Sequence, residues 1–210
     1  MILIKKKLLL TFFCFILVSL FLIISFSSQI SGKEIDWENF KQESLQQLKQ
    51  TPENAVVRFE YAISLANLGQ VEESYEQFDI LGEEKTREQS RKEIEEHLNT
   101  IKNNIILKYN YYAFLAVVDK NYQESIEYFY ELIALEPENV WIYNYLAASY
   151  YELEEYENAK VILDEALDLK DNSYSHLLYG LIYMEEGKYF RALRAFNRSG
   201  KLFDILEDFF

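Results

Sequence analysis

Residues 106–139 read ILKYNYYAFLAVVDKNYQESIEYFYELIALEPEN, and residues 140–173, which follow directly, read VWIYNYLAASYYELEEYENAKVILDEALDLKDNS. Asn110-Tyr111 returns as Asn144-Tyr145, Tyr122-Gln-Glu-Ser125 as Tyr156-Glu-Asn-Ala159, and Leu135 as Leu169, each 34 residues on. Apolar residues recur mostly at three- and four-residue steps (Tyr122, Ile126, Phe129, Leu132, Ile133; then Tyr156, Ala159, Val161, Leu163, Ala166, Leu167), the spacing of amphipathic helices. Lys120-Asn121, Pro137-Glu138-Asn139, Leu153-Glu154-Glu155, Asp171-Asn172 and Gly187-Lys188 interrupt that spacing and mark turns. Helices joined by so few residues must run antiparallel as hairpins. One hairpin cannot bury its apolar face without a neighbour, so the fixed period predicts an all-α solenoid of stacked hairpins.

These residues resemble the tetratricopeptide repeat, a 34-residue helical hairpin with small residues at three fixed places and aromatic residues between them. The match is best over 140–173, where Tyr143, Leu146, Ala147, Tyr150, Tyr156, Ala159, Leu163 and Ala166 take the family's positions and Asp171 replaces its usual proline. Unit 106–139 supplies Tyr109, Ala113, Tyr122, Ser125, Phe129 and Pro137, with Leu132 where a small residue is usual. Gly180, Tyr183, Tyr189, Ala192, Phe196 and Ser199 mark a unit at about 173–206, and Ala62, Gly69, Ser74 and Phe78 an earlier one at about 55–88, in which Leu81 again departs. The resemblance implies a right-handed α-solenoid of about four units over residues 52–206. It makes Ala113, Ser125, Ala147, Ala159, Ala166, Gly180 and Ala192 the points where helices approach most closely.

Two stretches depart from the period. Ala55 and Ile106 are 51 residues apart, so 17 are inserted, and the segment around 83–105 is highly charged with a narrow stripe of Ile94, Leu98 and Ile101. This predicts a long exposed helix with ion pairs along its surface. Residues 35–51, with Trp37, Phe40, Leu45 and Leu48, predict a lone helix capping the first repeat. At the other end Leu202, Phe203, Leu206, Phe209 and Phe210 form an apolar stripe beside Asp204, Glu207 and Asp208. A solenoid's outer face is normally polar, so residues 203–210 are expected either to fold back on the last hairpin or to join a second copy in a homo-oligomer.

Lys5, Lys6 and Lys7 lead into Leu8–Phe26, 19 residues without a charge, Gly or Pro. At 1.5 Å per residue this nearly spans the roughly 30 Å hydrocarbon core of a bilayer. Residues 1–28 are expected to be a transmembrane signal anchor, with 29–34 as a linker. Ser25-Phe26-Ser27 leaves open a cleaved signal peptide and a secreted or periplasmic domain. Three lysines before the segment and mixed charges after it place the N-terminus in the cytoplasm and the solenoid outside. Cys14 is the single cysteine, so the solenoid has no disulfide available and depends on packing.

The chain holds 35 acidic against 21 basic residues, a net charge of −14. That surface repels nucleic acid and steers a basic partner toward it. With two histidines, His97 and His176, and no Gly-rich phosphate loop, nucleophile elbow or clustered metal ligands in the sequence, no catalytic, metal or cofactor site is expected. The pairs Glu72-Glu73, Glu95-Glu96, Glu154-Glu155 and Glu185-Glu186 read as solvated carboxylates. In the tetratricopeptide family the first helices of successive units line a concave groove. Carried onto this chain, that implies an aromatic groove of Phe59, Asn110, Phe114, Trp141, Asn144, Tyr151, Tyr174 and Leu177 that takes a peptide or protein partner. The family's basic clamp for acidic peptide termini is absent: Glu60, Tyr111, Tyr145 and Leu178 stand at its positions. The expected function is a non-catalytic interaction scaffold on the outer face of a cytoplasmic membrane. A chaperone-like holder of exported unfolded chains would use the same groove.

Overall fold

The computed structural model describes residues 34–83 and 86–200. The expected anchor over 1–28, most of the linker and the apolar stripe over 203–210 lie outside them. Among the described residues no helix is long and apolar enough to cross a membrane. Those residues form ten α-helices and no strand: α1 Trp37–Gln50, α2 Ala55–Asn67, α3 Val71–Gly82, α4 Arg87–Leu98, α5 Ile105–Val118, α6 Tyr122–Leu135, α7 Val140–Glu152, α8 Tyr156–Leu169, α9 Ser173–Glu185 and α10 Tyr189–Ser199.

Four hairpins, α2–α3, α5–α6, α7–α8 and α9–α10, share one local design. Each first helix starts after an asparagine, at 54, 104, 139 and 172, whose side chain accepts from the N–H of Val57, Leu107, Trp141 or Ser175. This satisfies one of the N–H groups that a helix start leaves without a partner. Each first helix ends on left-handed backbone at Gly69, Lys120, Glu154 or Gly187, with φ of 75°, 59°, 59° and 68°. The next N–H in each case, from Gln70, Asn121, Glu155 or Lys188, turns back to the carbonyl of Leu65, Ala116, Tyr150 or Tyr183. That bond closes a Schellman turn, which ends one helix and aims the chain into the next.

Small residues then let the two helices of a hairpin close. Ala62, Ala113, Ala147 and Gly180 are buried on the first helices, opposite Ser74, Ser125, Ala159 and Ala192 on the second. Ser74 Oγ donates to the Ala62 carbonyl at 3.0 Å across the first hairpin. A Cβ at Gly180 would overlap the ring of Phe196, so the bare backbone is what admits that ring. Ala166 is buried on α8, and Leu81 and Leu132 are buried at the two places where the family usually has a small residue.

The charged insertion gives α4, twelve residues long and shorter than the long exposed helix expected of it. Its stripe is covered, with Ile94 and Leu98 buried and Ile101 packed at the edge of the core. Arg87 and Arg91 reach Asp119 at 3.5 and 3.3 Å, and His97 faces Glu60 at 3.4 Å. The helix is therefore a strut between α2 and the α5–α6 turn. At the start of the domain, α1 packs on α2, and Trp37 Nε1 donates to Glu136 Oε1 at 3.4 Å, beside the α6–α7 turn.

Candidate functional site

The first hairpin occupies much of the face that the first helices of the later units would present to a partner. Phe78 of α3 stacks on Phe114 of α5 with ring centroids 5.2 Å apart, and Phe59 of α2 meets Tyr111 edge-on at 5.1 Å. Asn67 Nδ2 donates to Asn110 Oδ1 at 2.8 Å, and Asn139 Nδ2 to Asn67 Oδ1 at 3.0 Å. The indole of Trp141 lies so close over Gly69 that a Cβ there would overlap it. An ordinary stacked solenoid joins only neighbouring units, whereas here α2 touches α5 and also α7.

This packing corrects the groove inferred from the family. Phe59, Phe114, Asn110 and Asn144 are buried inside the molecule and cannot face a partner. The two asparagines bond the fold to itself: each donates to the carbonyl four residues earlier, Ile106 or Val140. Asn144 further donates to Asn172 Oδ1 at 3.2 Å and accepts from Ser175 Oγ at 2.6 Å. Buried amides are costly unless paired, so these networks fix the helix positions and are not available to a peptide. Tyr151 lies at the end of α7 with its ring 5.8 Å from that of Tyr156, and burial with the nearby Glu185 pushes its hydroxyl up to about 12. Leu177 packs at the edge of the core. Neither lines the cleft that Trp141 lines.

Trp141 and Tyr174 do come together. They line a cleft of about 350 Å³ with Gly69, Gln70, Val71, Glu72, Glu73 and Ser173, between the α2–α3 turn and the starts of α7 and α9. Glu72 and Glu73 are exposed, and Glu73 accepts from Gln70 at 3.2 Å. Tyr174 is buried, and its hydroxyl is held well above the usual phenol range by loss of water and by nearby Tyr145, Tyr75 and Glu152. Two aromatic residues and two acidic residues lining one opening favour a cation with an apolar stem. Sequence reasoning placed Trp141 and Tyr174 in a groove but left Glu72 and Glu73 on a solvated helix. They come from units far apart in the chain, and no local signal joins them. The Asn67, Asn139 and Asn172 contacts were also missed, although the recurrence of asparagine at 54, 104, 139 and 172 was visible. The histidines are separate: His97 faces Glu60, and His176 Nε2 meets Asp171 Oδ1 at 2.6 Å.

No curated protein matches this chain. Solved structures similar to it include a tetratricopeptide repeat protein from Parabacteroides merdae, at 15% identity over 82% of this chain and 75% of that one, TM-score 0.49. A MamA fragment from Desulfovibrio magneticus is 18% identical over 79% of this chain and 92% of that one, TM-score 0.46. A thermophilic TPR protein from Thermus thermophilus is 16% identical over 78% of this chain and 81% of that one, TM-score 0.43. In sequence, residues 117–182, from the end of α5 through most of α9, match the family model of the tetratricopeptide repeat.

Proposed function

We propose that this chain is a non-catalytic protein-binding module, held on the outer face of a cytoplasmic membrane, that takes an extended segment of a partner in the Trp141–Tyr174 cleft through a lysine or arginine side chain. The observation that carries this reading is the cleft itself: Trp141 of α7 and Tyr174 of α9 line about 350 Å³ of open space together with the acidic residues Glu72 and Glu73 of α3. A cationic head there gains from the indole face and the carboxylates together, while its methylene stem covers apolar surface. The net charge of −14 steers such a segment inward and makes its capture dependent on salt.

Full-length protein titrated with unstructured peptides that differ only in carrying arginine, lysine, glutamine or glutamate at one central position tests the site. Arginine and lysine peptides bind and the glutamate peptide does not. Trp141→Ala weakens the basic peptides about tenfold, the effect of one lost cation–π contact. Glu72→Lys with Glu73→Lys abolishes binding at low salt. Equal binding of all four peptides rejects a cation site, and binding unchanged in both variants rejects the cleft. The membrane half of the reading rests on the apolar run Leu8–Phe26 after three lysines. Protein that leaves membranes with salt and begins near Ser28 refutes it.

A further inference from the structure

Helix α10 departs from its counterparts on the face that meets water. Projected at 100° per residue, Ala192, Ala195, Phe196 and Ser199 fall on the side that is buried in the hairpin, and Phe190 stands opposite them. Tyr189 and Leu193 flank Phe190 on one side, and Arg194, Arg198 and Arg191 on the other. Phe190 is 92% exposed, Tyr189 66% and Leu193 63%. Arg191 lies over the Tyr183 ring at 5.9 Å, and Arg194 and Arg198 form no ion pair among the described residues.

The repeat does not ask for this face. At the place of Phe190 the two preceding hairpins carry Gln123 and Glu157, both exposed. At the places of Arg191, Arg194 and Arg198, α6 carries exposed Glu124, Glu127 and Glu131, and α8 carries Asn158, Val161 and Glu165. Between α6 and α10 the charge is inverted at all three, and a ring replaces a polar residue. In the sequence, residues 187–203 include Lys188, Arg191, Arg194, Arg198 and Lys201 and no acidic residue, in a chain that holds 35. A lone apolar side chain in water needs no explanation, but a contiguous phenol, ring and leucine beside a row of arginines does. A projecting apolar ridge edged by arginine is the pattern of a helix lying in the plane of a bilayer surface, with its rings at the acyl boundary and its guanidinium groups at the phosphates. The net charge of −14 does not oppose this, because salt screens charges beyond about 8 Å at physiological ionic strength. Attraction acts at α10, and the acidic remainder is held off, which orients the domain.

We infer that α10 is a docking face for an anionic lipid surface, with Tyr189, Phe190 and Leu193 entering the headgroup boundary and Arg194 and Arg198 pairing with lipid phosphates. The occupant is a bilayer rich in acidic headgroups, not a second copy or an acidic protein. This contact is separate from the apolar run Leu8–Phe26 and from the Trp141–Tyr174 cleft, and it holds whether or not that run is retained.

A polarity-sensitive fluorophore on the full chain tests this. With Cys14→Ser, the label is placed at Asn197→Cys, exposed on the outward face of α10, and in a control at Val161→Cys, exposed on α8. Each protein is reconstituted with vesicles of phosphatidylcholine alone or of phosphatidylcholine and phosphatidylglycerol in equal parts. In the mixed vesicles the label at 197 shifts to the blue and is quenched by lipids brominated near the headgroup, while the label at 161 does neither. In phosphatidylcholine both labels stay in water. Arg194→Glu with Arg198→Glu abolishes the shift, and Phe190→Ser with Leu193→Ser removes the quenching. A label at 197 that stays in water in every vesicle overturns the inference, as does a shift that is equal at both sites, equal in both lipids or unchanged in both variants. A shift that appears without lipid as protein concentration rises overturns it in favour of a second copy. Flotation keeps the anchor separate: a chain that floats with phosphatidylcholine retains it whatever the label reports, and one that floats only with the mixed vesicles loses the anchor and keeps the α10 contact. All of these positions on α10 and α8 are exposed, so a folded protein is expected in every arm, and circular dichroism checks it.

Discussion

Lys120 and Glu154 adopt the same left-handed backbone, φ 59° each, that Gly69 and Gly187 adopt in the other two hairpins. A side chain with a Cβ is strained there by roughly 1–2 kcal/mol, and both of these side chains are exposed to water. Glu154→Gly should therefore raise stability by about 1 kcal/mol once glycine's larger unfolded-state freedom is subtracted. A denaturant midpoint that rises without a change in slope checks it. Ala159 gives the opposite case. It is buried where α7 and α8 approach, so Ala159→Leu overpacks the hairpin and costs about 1 to 3 kcal/mol, which an unchanged thermal midpoint would contradict. Ala159 was legible as a residue, because a small side chain at a fixed period has one main use, whereas Glu154 was legible only as part of a turn. Asn110 and Asn144 were legible as equivalent and misread as partner-facing. An asparagine can hold a helix as well as a ligand, and burial alone decides which.

At the scale of elements, the hairpins follow from turn chemistry and apolar spacing, while α4 depends on what it meets. Its twelve residues are mostly charged, and a short helix of that kind is marginal by itself. It is held by Ile94 and Leu98 in the core, by two arginines on Asp119, and by His97 against Glu60. The sequence showed the stripe but not what covers it, since α2 lies some thirty residues back and α5 follows. Glu60 reports on this junction. Burial raises its carboxyl above the ordinary value of 4.5, opposed by the Tyr111 hydroxyl, which donates at 3.0 Å, and by His97. A carboxyl raised on folding binds its proton more tightly in the folded state. It therefore adds stability below about pH 4.5 that is lost as pH rises through the raised value. Glu60→Gln keeps an acceptor for Tyr111 and removes the buried charge. It should be more stable than the parent at pH 8, with the advantage shrinking as pH falls toward 4.5. Chemical denaturation across that range measures it, and a parent more stable than the variant at pH 8 would mean that pairing with His97 outweighs desolvation.

For the whole molecule, the period predicted a row of hairpins in which each touches the next, and the described domain departs from a row at its first hairpin. The inserted residues and α4 let α2 and α3 turn back across α5 toward α7, where Phe78 meets Phe114, Asn67 bonds Asn110 and Asn139, and Gly69 lies beneath Trp141. Nothing in a 34-residue period encodes this, because it joins residues up to 72 positions apart. The same contact builds the cleft, since Gln70, Val71, Glu72 and Glu73 stand opposite Trp141 and Tyr174 only when the hairpin is in place. In a row, damage to one unit reaches only its neighbours. Here it should reach further. Phe78→Ala removes a buried ring that touches both Phe59 and Phe114, at a cost of about 3 to 5 kcal/mol. Hydrogen exchange on that variant should show protection lost in α2 and α5 and also in the first turn of α7 around Trp141, while α8 and α10 keep theirs. Loss confined to α2, α3 and α5 would mean that the first hairpin is only the end of a row. Loss that includes Trp141 ties the opening of the cleft to the undocking of the hairpin, so a partner bound in the cleft should slow exchange in α3 as well as in α7.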